Sequence, residues 1–248
     1  MAYSILIGLA ICAVAASYVV KEHRLSKARN HGIRLNYVGV PLGRKNVPGE
    51  AHSRSSYLDR ALDEKSFERE AYCKRVTAFS IAIARAMGLS REATRVTAYG
   101  AFLHDIGESA IPDAILRKPN ELTPDELAVM REHCSRGYNI VKRIPFLADA
   151  AEIVYSHHER FDGTGYPRGL KGKEIPLGAR ISAVADTVDA MTSNSRYRAK
   201  LPITAVSAEI KRLSGVQFDP EVVAVFLALP EHIWEDLRRQ IDERPPVN

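Results

Sequence analysis

An all-α fold is predicted for this 248-residue chain, and three observations predict it. From Tyr57 onward apolar residues recur at spacings of three and four, as one face of a helix requires. No stretch longer than a few residues alternates apolar and polar with a period of two. The segments are punctuated by helix start and stop signals rather than by hairpin turns. The expected architecture is a helical bundle, residues 57–229, preceded by one N-terminal transmembrane helix (1–20) and a basic juxtamembrane linker (21–56). A C-terminal helix and tail, 230–248, completes the chain.

Residues 2–20, AYSILIGLAICAVAASYVV, carry no charge. At about 1.5 Å rise per residue they match the roughly 30 Å hydrocarbon core of a bilayer. A cleaved signal peptide is one alternative, with Ala13, Val14 and Ala15 as a cleavage site, although no positive region precedes the apolar run. A buried soluble helix is another. Between Lys21 and Lys45 seven Lys or Arg stand against Glu22 alone. That stretch holds a net +6 of the chain's +5, which leaves the rest at −1. Positive charge following an apolar span places the C-terminal part in the cytoplasm, so a single-pass inner-membrane protein is expected. Because the basicity belongs to the linker, nucleic-acid binding by the main domain is not indicated.

The first helix of the domain carries Leu58, Ala61, Leu62, Val76, Phe79, Ile83 and Ala86. Gly88 is its stop signal and Ser90 the N-cap of the next helix, which runs through Val96, Tyr99, Phe102 and Leu103. Gly107 breaks the helical pattern. Thr123-Pro124-Asp125-Glu126 reads as a capping box with Pro at the first helical position, opening a helix to about Lys142. Pro145 stops it. Further helices are expected at 147–160, 178–193, 203–214, 220–229 and 231–243.

Cys12, Cys73 and Cys134 form no CxxC pair, so neither a disulfide framework nor a zinc-thiolate site is predicted. Among eight histidines, His104, His133, His157 and His158 fall where the helical reading places interior or loop-facing ends, and two of them adjoin other candidate ligands. Asp105 adjoins His104, and Asp186 sits within the apolar helix ISAVADTVDAM. A carboxylate there is costly to bury unless paired or metal-bound. Imidazoles and carboxylates without thiolates suit iron, manganese or zinc. Each has an ordinary alternative: a histidine packed in the core, Asp105 as a cap, Asp186 or Asp189 paired with Arg180. After the paired histidines comes a loop holding Gly163, Gly165, Gly169 and Gly172 with Arg160, Arg168, Lys171 and Lys173, able to present N–H groups and positive charge to phosphate.

Taken together, HDIG at 104–107, IPD at 111–113, His133, HHERFDGTGYP at 157–167, ARISAVADTVDAMTS at 179–193 and FDP at 218–220 resemble the HD-GYP family, a branch of the HD metal-dependent phosphohydrolases. The resemblance spans roughly residues 65 to 227. It implies an HD-type helical domain with two or three divalent metals, iron or manganese ahead of zinc, hydrolysing a phosphodiester of cyclic di-GMP to pGpG or GMP. Carried over by position, the metal ligands are Glu68, His104, Asp105, His133, His157, His158 and Asp186, with Asp105 bridging. Asp105 and Glu108 are the candidate catalytic carboxylates. Gly165, Tyr166, Arg168, Arg196 and Arg198 are the candidate substrate contacts.

Three positions depart from the family pattern. Tyr72 stands where a histidine ligand is usual; a tyrosine there can bind ferric iron as phenolate or simply pack. Glu108 replaces a lysine after HDIG, and an acid repels a phosphodiester unless it is paired, protonated or metal-bound. Ser195 replaces an arginine within TSNSRYR. The competing functional expectation is therefore a catalytically degraded domain serving as a cyclic di-GMP sensor or as a module for signalling partners.

Overall fold

A computed structural model describes residues 56–194 and 199–243, with side chains from residue 68 onward. The expected membrane segment, the linker up to residue 55, and Ser195, Arg196 and Arg198 lie outside the described residues. No helix among the described residues is long and apolar enough to cross a membrane.

The described chain is helical, as expected. A long helix α1 (Ser56–Ala86) turns at Gly88 into α2 (Arg91–Leu103), whose first turn is capped by the Ser90 hydroxyl accepting from the Ala93 N–H. A 3-10 turn (Ile106–Ala110) follows the His104-Asp105 pair, then the short α3 (Asp113–Leu116). The reciprocal Thr123–Glu126 capping box opens α4 (Pro124–Arg131). Next come α5 (His133–Val141), a 3-10 segment (Pro145–Ala150), α6 (Ala151–Ser156), a 3-10 turn (Gly172–Glu174) and α7 (Leu177–Thr192). Helices α8 (Ile203–Arg212), α9 (Pro220–Ala228) and α10 (His232–Asp242) finish the described chain.

Two differences from the sequence expectation matter for the site. The helix expected from Thr123 to Lys142 breaks at Glu132, whose N–H bonds to Val129 in the tighter i−3 pattern. The His133 ring takes the Met130 carbonyl that a continuous helix would have used, at 2.7 Å. Likewise the helix expected over 147–160 is 3-10 up to Ala150 and α-helical only to Ser156, so it stops just before His157. Both breaks place a histidine at a helix end.

One core joins α1, α7, α8, α9 and α10 through Val76, Phe79, Ile83, Ile181, Val184, Ile210 and Phe226. Trp234 of α10 meets Phe79 edge-on at 5.4 Å and is 3% exposed, so the C-terminal helix is part of this core. A second apolar cluster gathers Leu103, Ile106, Val141, Leu147 and Val154 under the 3-10 turn that follows the HD pair. Helix α2 packs against both α1 and α7. His104 and Asp105 are therefore delivered from the middle of the bundle.

Arg180, considered above as a partner for Asp186 or Asp189, instead pairs with Asp219. Asp189, 1% exposed, accepts from Arg75 Nε at 2.6 Å and from Arg238 Nη2 at 2.8 Å. These bonds tie α1 and α10 to α7. A buried carboxylate so paired is destabilising to break, because two cations lose their counter-charge. Asp189→Ala is expected to cost about 3–5 kcal/mol in urea unfolding. A loss below ~1 kcal/mol would show that this cluster does not hold the three helices together.

Candidate metal centre

The site is built from helix ends. Residues His104, His133 and His157 each follow the end of a helix, namely α2, α4 and α6. Each ring places Nδ1 on the carbonyl three residues back: Ala101 at 2.8 Å, Met130 at 2.7 Å and Val154 at 2.7 Å. A carbonyl can only accept, so Nδ1 carries a proton in all three, and Nε2 is a lone pair wherever the ring is neutral. The last carbonyls of a helix have no partner within it, and the imidazoles satisfy one at each end. The same bond fixes the tautomer that a metal-binding histidine needs.

The three Nε2 atoms converge on Asp105. His104 Nε2 lies 3.3 Å from Asp105 Oδ2, while His157 and His133 Nε2 lie 3.6 and 3.9 Å from Oδ1. His133 and His157 face each other Nε2 to Nε2 at 3.2 Å. Two lone pairs at that separation repel unless positive charge lies between them. Burial pushes the His157 pKa down, which works against a proton supplying that charge. For His158, burial and then the neighbouring histidines lower the pKa to about 2, so that ring too is neutral. Asp105 is driven the other way: burial opposes its ionisation, but His104 and His157 outweigh it and hold its pKa well below the usual carboxylate value. His157 and His158, held neutral beside an ionised Asp105, are in the ligand form and fit a divalent metal.

On the other side of Asp105, Tyr72 spans His104 and Asp186. Its hydroxyl is 2.9 Å from His104 Nε2 and donates to Asp186 Oδ1 at 2.7 Å. Burial first, then Asp105, raises the Asp186 pKa, with His104 opposing. Burial disfavours protonation of His104, but Asp105 and Asp186 lift its pKa to about 9. Glu68 is exposed one helical turn before Tyr72, outside the contacts that join the histidines.

Cys134 is a residue the sequence reading set aside. Its Sγ stands among the ligand atoms of His133, His157 and His158, all within 4.8 Å of one another. It is fully buried, and burial raises its pKa to about 12, so it sits there as a thiol. The absence of a CxxC pattern hid a cysteine recruited by adjacency to His133.

The glycine loop wraps over this cluster. A Cβ on Gly165 would lie 2.3 Å from the Arg160 nitrogen and 2.6 Å from the His158 oxygen, so only glycine lets the loop fold back on the paired histidines. Tyr166 stacks on His158 at 4.7 Å, and its outer face carries the Arg131 guanidinium 4.9 Å from the ring centroid. Arg168 donates through Nη2 to Glu152 and Ser156 and covers the Tyr155 ring, which commits its guanidinium to α6. Buried Glu159 accepts the Arg168 and Leu170 N–H groups at 2.8 and 3.1 Å and holds the loop's return. Gly107, read from sequence as a helix breaker, has a further reason to be glycine: a Cβ would sit 1.9 Å from the His133 carbonyl oxygen.

Glu108 forms an ion pair with Arg69 of α1. Burial and Asp105 raise its pKa, with Arg69 opposing. Thus the acid that sequence alone sets against a phosphate is paired, with its cation supplied from 39 residues earlier.

Comparison with known proteins places this geometry in context. The HD domain family model matches residues 56–222, and the chain belongs to that family, with the HD-GYP signature residues at the site just described. A cyclic di-GMP phosphodiesterase of Thermotoga maritima is 43% identical over 188 residues, 75% of this chain and 51% of its own length. The cyclic di-GMP phosphodiesterase response regulator RpfG of Xanthomonas campestris is 40% identical, covering 69% of this chain and 46% of its own. A 3'3'-cGAMP-specific phosphodiesterase of Vibrio cholerae is 34% identical, covering 72% and 34%. The chain thus spans about half or less of the length of these relatives. Among solved structures, a cyclic GMP-AMP-specific phosphodiesterase of V. cholerae aligns with a TM-score of 0.52 at 22% identity, over 71% of this chain and 49% of that one, a likeness of fold.

The ion pair has a measurable consequence. Glu108→Lys is expected to set two cations against each other and lower stability by about 1–2 kcal/mol, with Arg69→Glu added in the same chain regaining about 1 kcal/mol. Denaturant unfolding of the four members of this cycle measures the coupling. Strictly additive effects would show that Arg69 does not neutralise Glu108.

Proposed function

We propose that this chain is a metal-dependent phosphodiesterase of cyclic dinucleotides, with cyclic di-GMP as substrate and pGpG or GMP as product. The observation that carries the reading is the 3.2 Å approach of the His133 and His157 lone pairs beside an ionised Asp105. His104, Asp105 and Asp186 are the donors for one metal, and His133, His157, His158 and Asp105 for a second, iron or manganese being favoured over zinc. When bound, such ions lower the pKa of water and stabilise the charge on attacking and leaving oxygens in an in-line displacement.

The chain's own residues supply the rest. Asp105 turns one oxygen to His104 and the other to His133 and His157, which aligns the two halves. Tyr166, backed by His158 and covered by exposed Arg131, offers an aromatic face and a cation beside the metal ligands. Arg131 is a substrate contact that sequence reasoning did not single out. Arg196 and Arg198 are proposed as further phosphate contacts. The names of the relatives support a cyclic dinucleotide, and cyclic di-GMP leads because the two relatives with the highest identities quoted above act on it by name. The apolar segment 2–20 and the basic stretch after it support anchoring at the inner membrane with the domain on the cytoplasmic side. Signalling partners are proposed on the same footing.

The experiment is turnover of cyclic di-GMP by the full chain loaded with manganese or iron, followed by chromatography, with cyclic di-AMP and 3'3'-cGAMP as comparison substrates. Asp105→Asn is expected to lower turnover by at least about 10³-fold, since it weakens both halves at once. A metal-loaded chain that binds cyclic di-GMP but leaves it intact would replace the phosphodiesterase reading with that of a sensor.

A further inference from the structure

The Tyr72 ring packs against the main core, and its hydroxyl is aimed at two of the candidate ligands. Its oxygen lies 2.9 Å from His104 Nε2 and 2.7 Å from Asp186 Oδ1, and His104 Nε2 in turn lies 3.3 Å from Asp105 Oδ2. The His104 Nδ1–H is spent on Ala101, so Nε2 is the ring atom that faces the phenol oxygen.

Coordination accounts for all three distances together. Metal–nitrogen and metal–oxygen bonds of about 2.0–2.2 Å place neighbouring donors on one ion roughly 2.8–3.6 Å apart, depending on whether the angle is nearer 90° or 109°. The separations of Tyr72, His104, Asp105 and Asp186 fall on or just below that range. The opposite half, with His133, His157 and Asp105 Oδ1 at 3.2, 3.6 and 3.9 Å, has the looser spacing and no phenol oxygen joined to its imidazoles.

We propose that Tyr72 is itself a metal ligand, binding through its phenolate oxygen to the ion held by His104, Asp105 and Asp186, and that it gives this half of the site a preference for ferric iron. The inference rests on the metal-dependent reading above. On ligation the O–H bond breaks, the proton passes to water, and the oxygen pair forms the bond to iron; no electron is transferred when the iron is supplied in the ferric state. Two carboxylate oxygens and a phenolate make a hard, anionic donor set around one imidazole, suited to a small trivalent ion. A phenolate also serves as a ligand to iron in haem proteins.

The test is spectroscopic and does not depend on turnover. Full-length chain, freed of metal, is loaded with ferric iron from its nitrilotriacetate complex. Iron per chain is counted by mass spectrometry, and visible absorption and resonance Raman spectra are recorded. The expected result is a phenolate-to-iron charge-transfer band with tyrosinate ring modes in the wild type, lost in Tyr72→Phe and in Tyr72→His. Tyr166, stacked beside His158, is the other tyrosine near the cluster, and loss of the band in Tyr72→Phe distinguishes the two. Iron bound without a band in the wild type, or a band that survives in Tyr72→Phe, overturns the assignment while leaving the metal reading intact. A chain that binds no iron, manganese or zinc overturns both.

Discussion

The bond from an imidazole Nδ1–H to the carbonyl three residues earlier is the interaction on which the rest of this site depends. It occurs at the ends of α2, α4 and α6. One geometry answers two demands at each place. It satisfies a helix-terminal carbonyl that would otherwise be left unpaired in a buried setting. It also turns Nε2 away from the helix and towards Asp105. Once the three rings are so fixed, their lone pairs can meet only around positive charge. The way these helices end thus builds a cluster able to hold a metal.

Holding helix ends together in this way needs a rigid frame, and the frame is made of charge as well as apolar surface. Asp189 joins Arg75 of α1 to Arg238 of α10 from within α7, and Arg180 of α7 meets Asp219 ahead of α9. The Arg75–Asp189 pair joins the same two helices that carry Tyr72 and Asp186. Register between α1 and α7 therefore decides whether the phenol reaches the carboxylate. Glu159 does the equivalent for the loop, since its two oxygens hold the backbone that returns from Tyr166. A buried carboxylate gains this organising power because leaving it unpaired is so costly.

Much of the site was legible in the sequence because its key residues follow local rules. His104 and Asp105 stand just before the Gly107 break, and the paired histidines run directly into the glycine loop, so these strings are contiguous. The all-helical class followed from spacing and caps, and the Thr123–Glu126 box reads directly. What could not be read were contacts between residues far apart in the chain. Tyr72 meets Asp186 across 114 positions and Arg69 meets Glu108 across 39, and no periodicity encodes either. The break at Glu132 was hidden because no proline falls between Pro124 and Pro145 to mark it. Only the side chain of His133, by taking the Met130 carbonyl, disfavours continuity there. Cys134 was missed for a related reason: its relevance comes from the turn its neighbour makes, not from a cysteine pattern.

These long-range contacts change what the unusual residues mean. Read singly, Tyr72 removes a ligand and Glu108 adds a repulsive charge, so both point to a site in decline. In the folded chain Glu108 is neutralised by a cation from α1, and Tyr72 sets its oxygen between two donors of one half of the centre. The result is a site with unlike halves, one rich in imidazole with a thiol beside it and the other rich in oxygen. Hydrolysis of a diester by two ions asks each to act on a different oxygen, one attacking and one leaving. A difference in donor set between the halves is compatible with that division. The same asymmetry makes the identity and valence of the metals proposed for it, more than the number of surviving family residues, the quantity that decides how this site behaves.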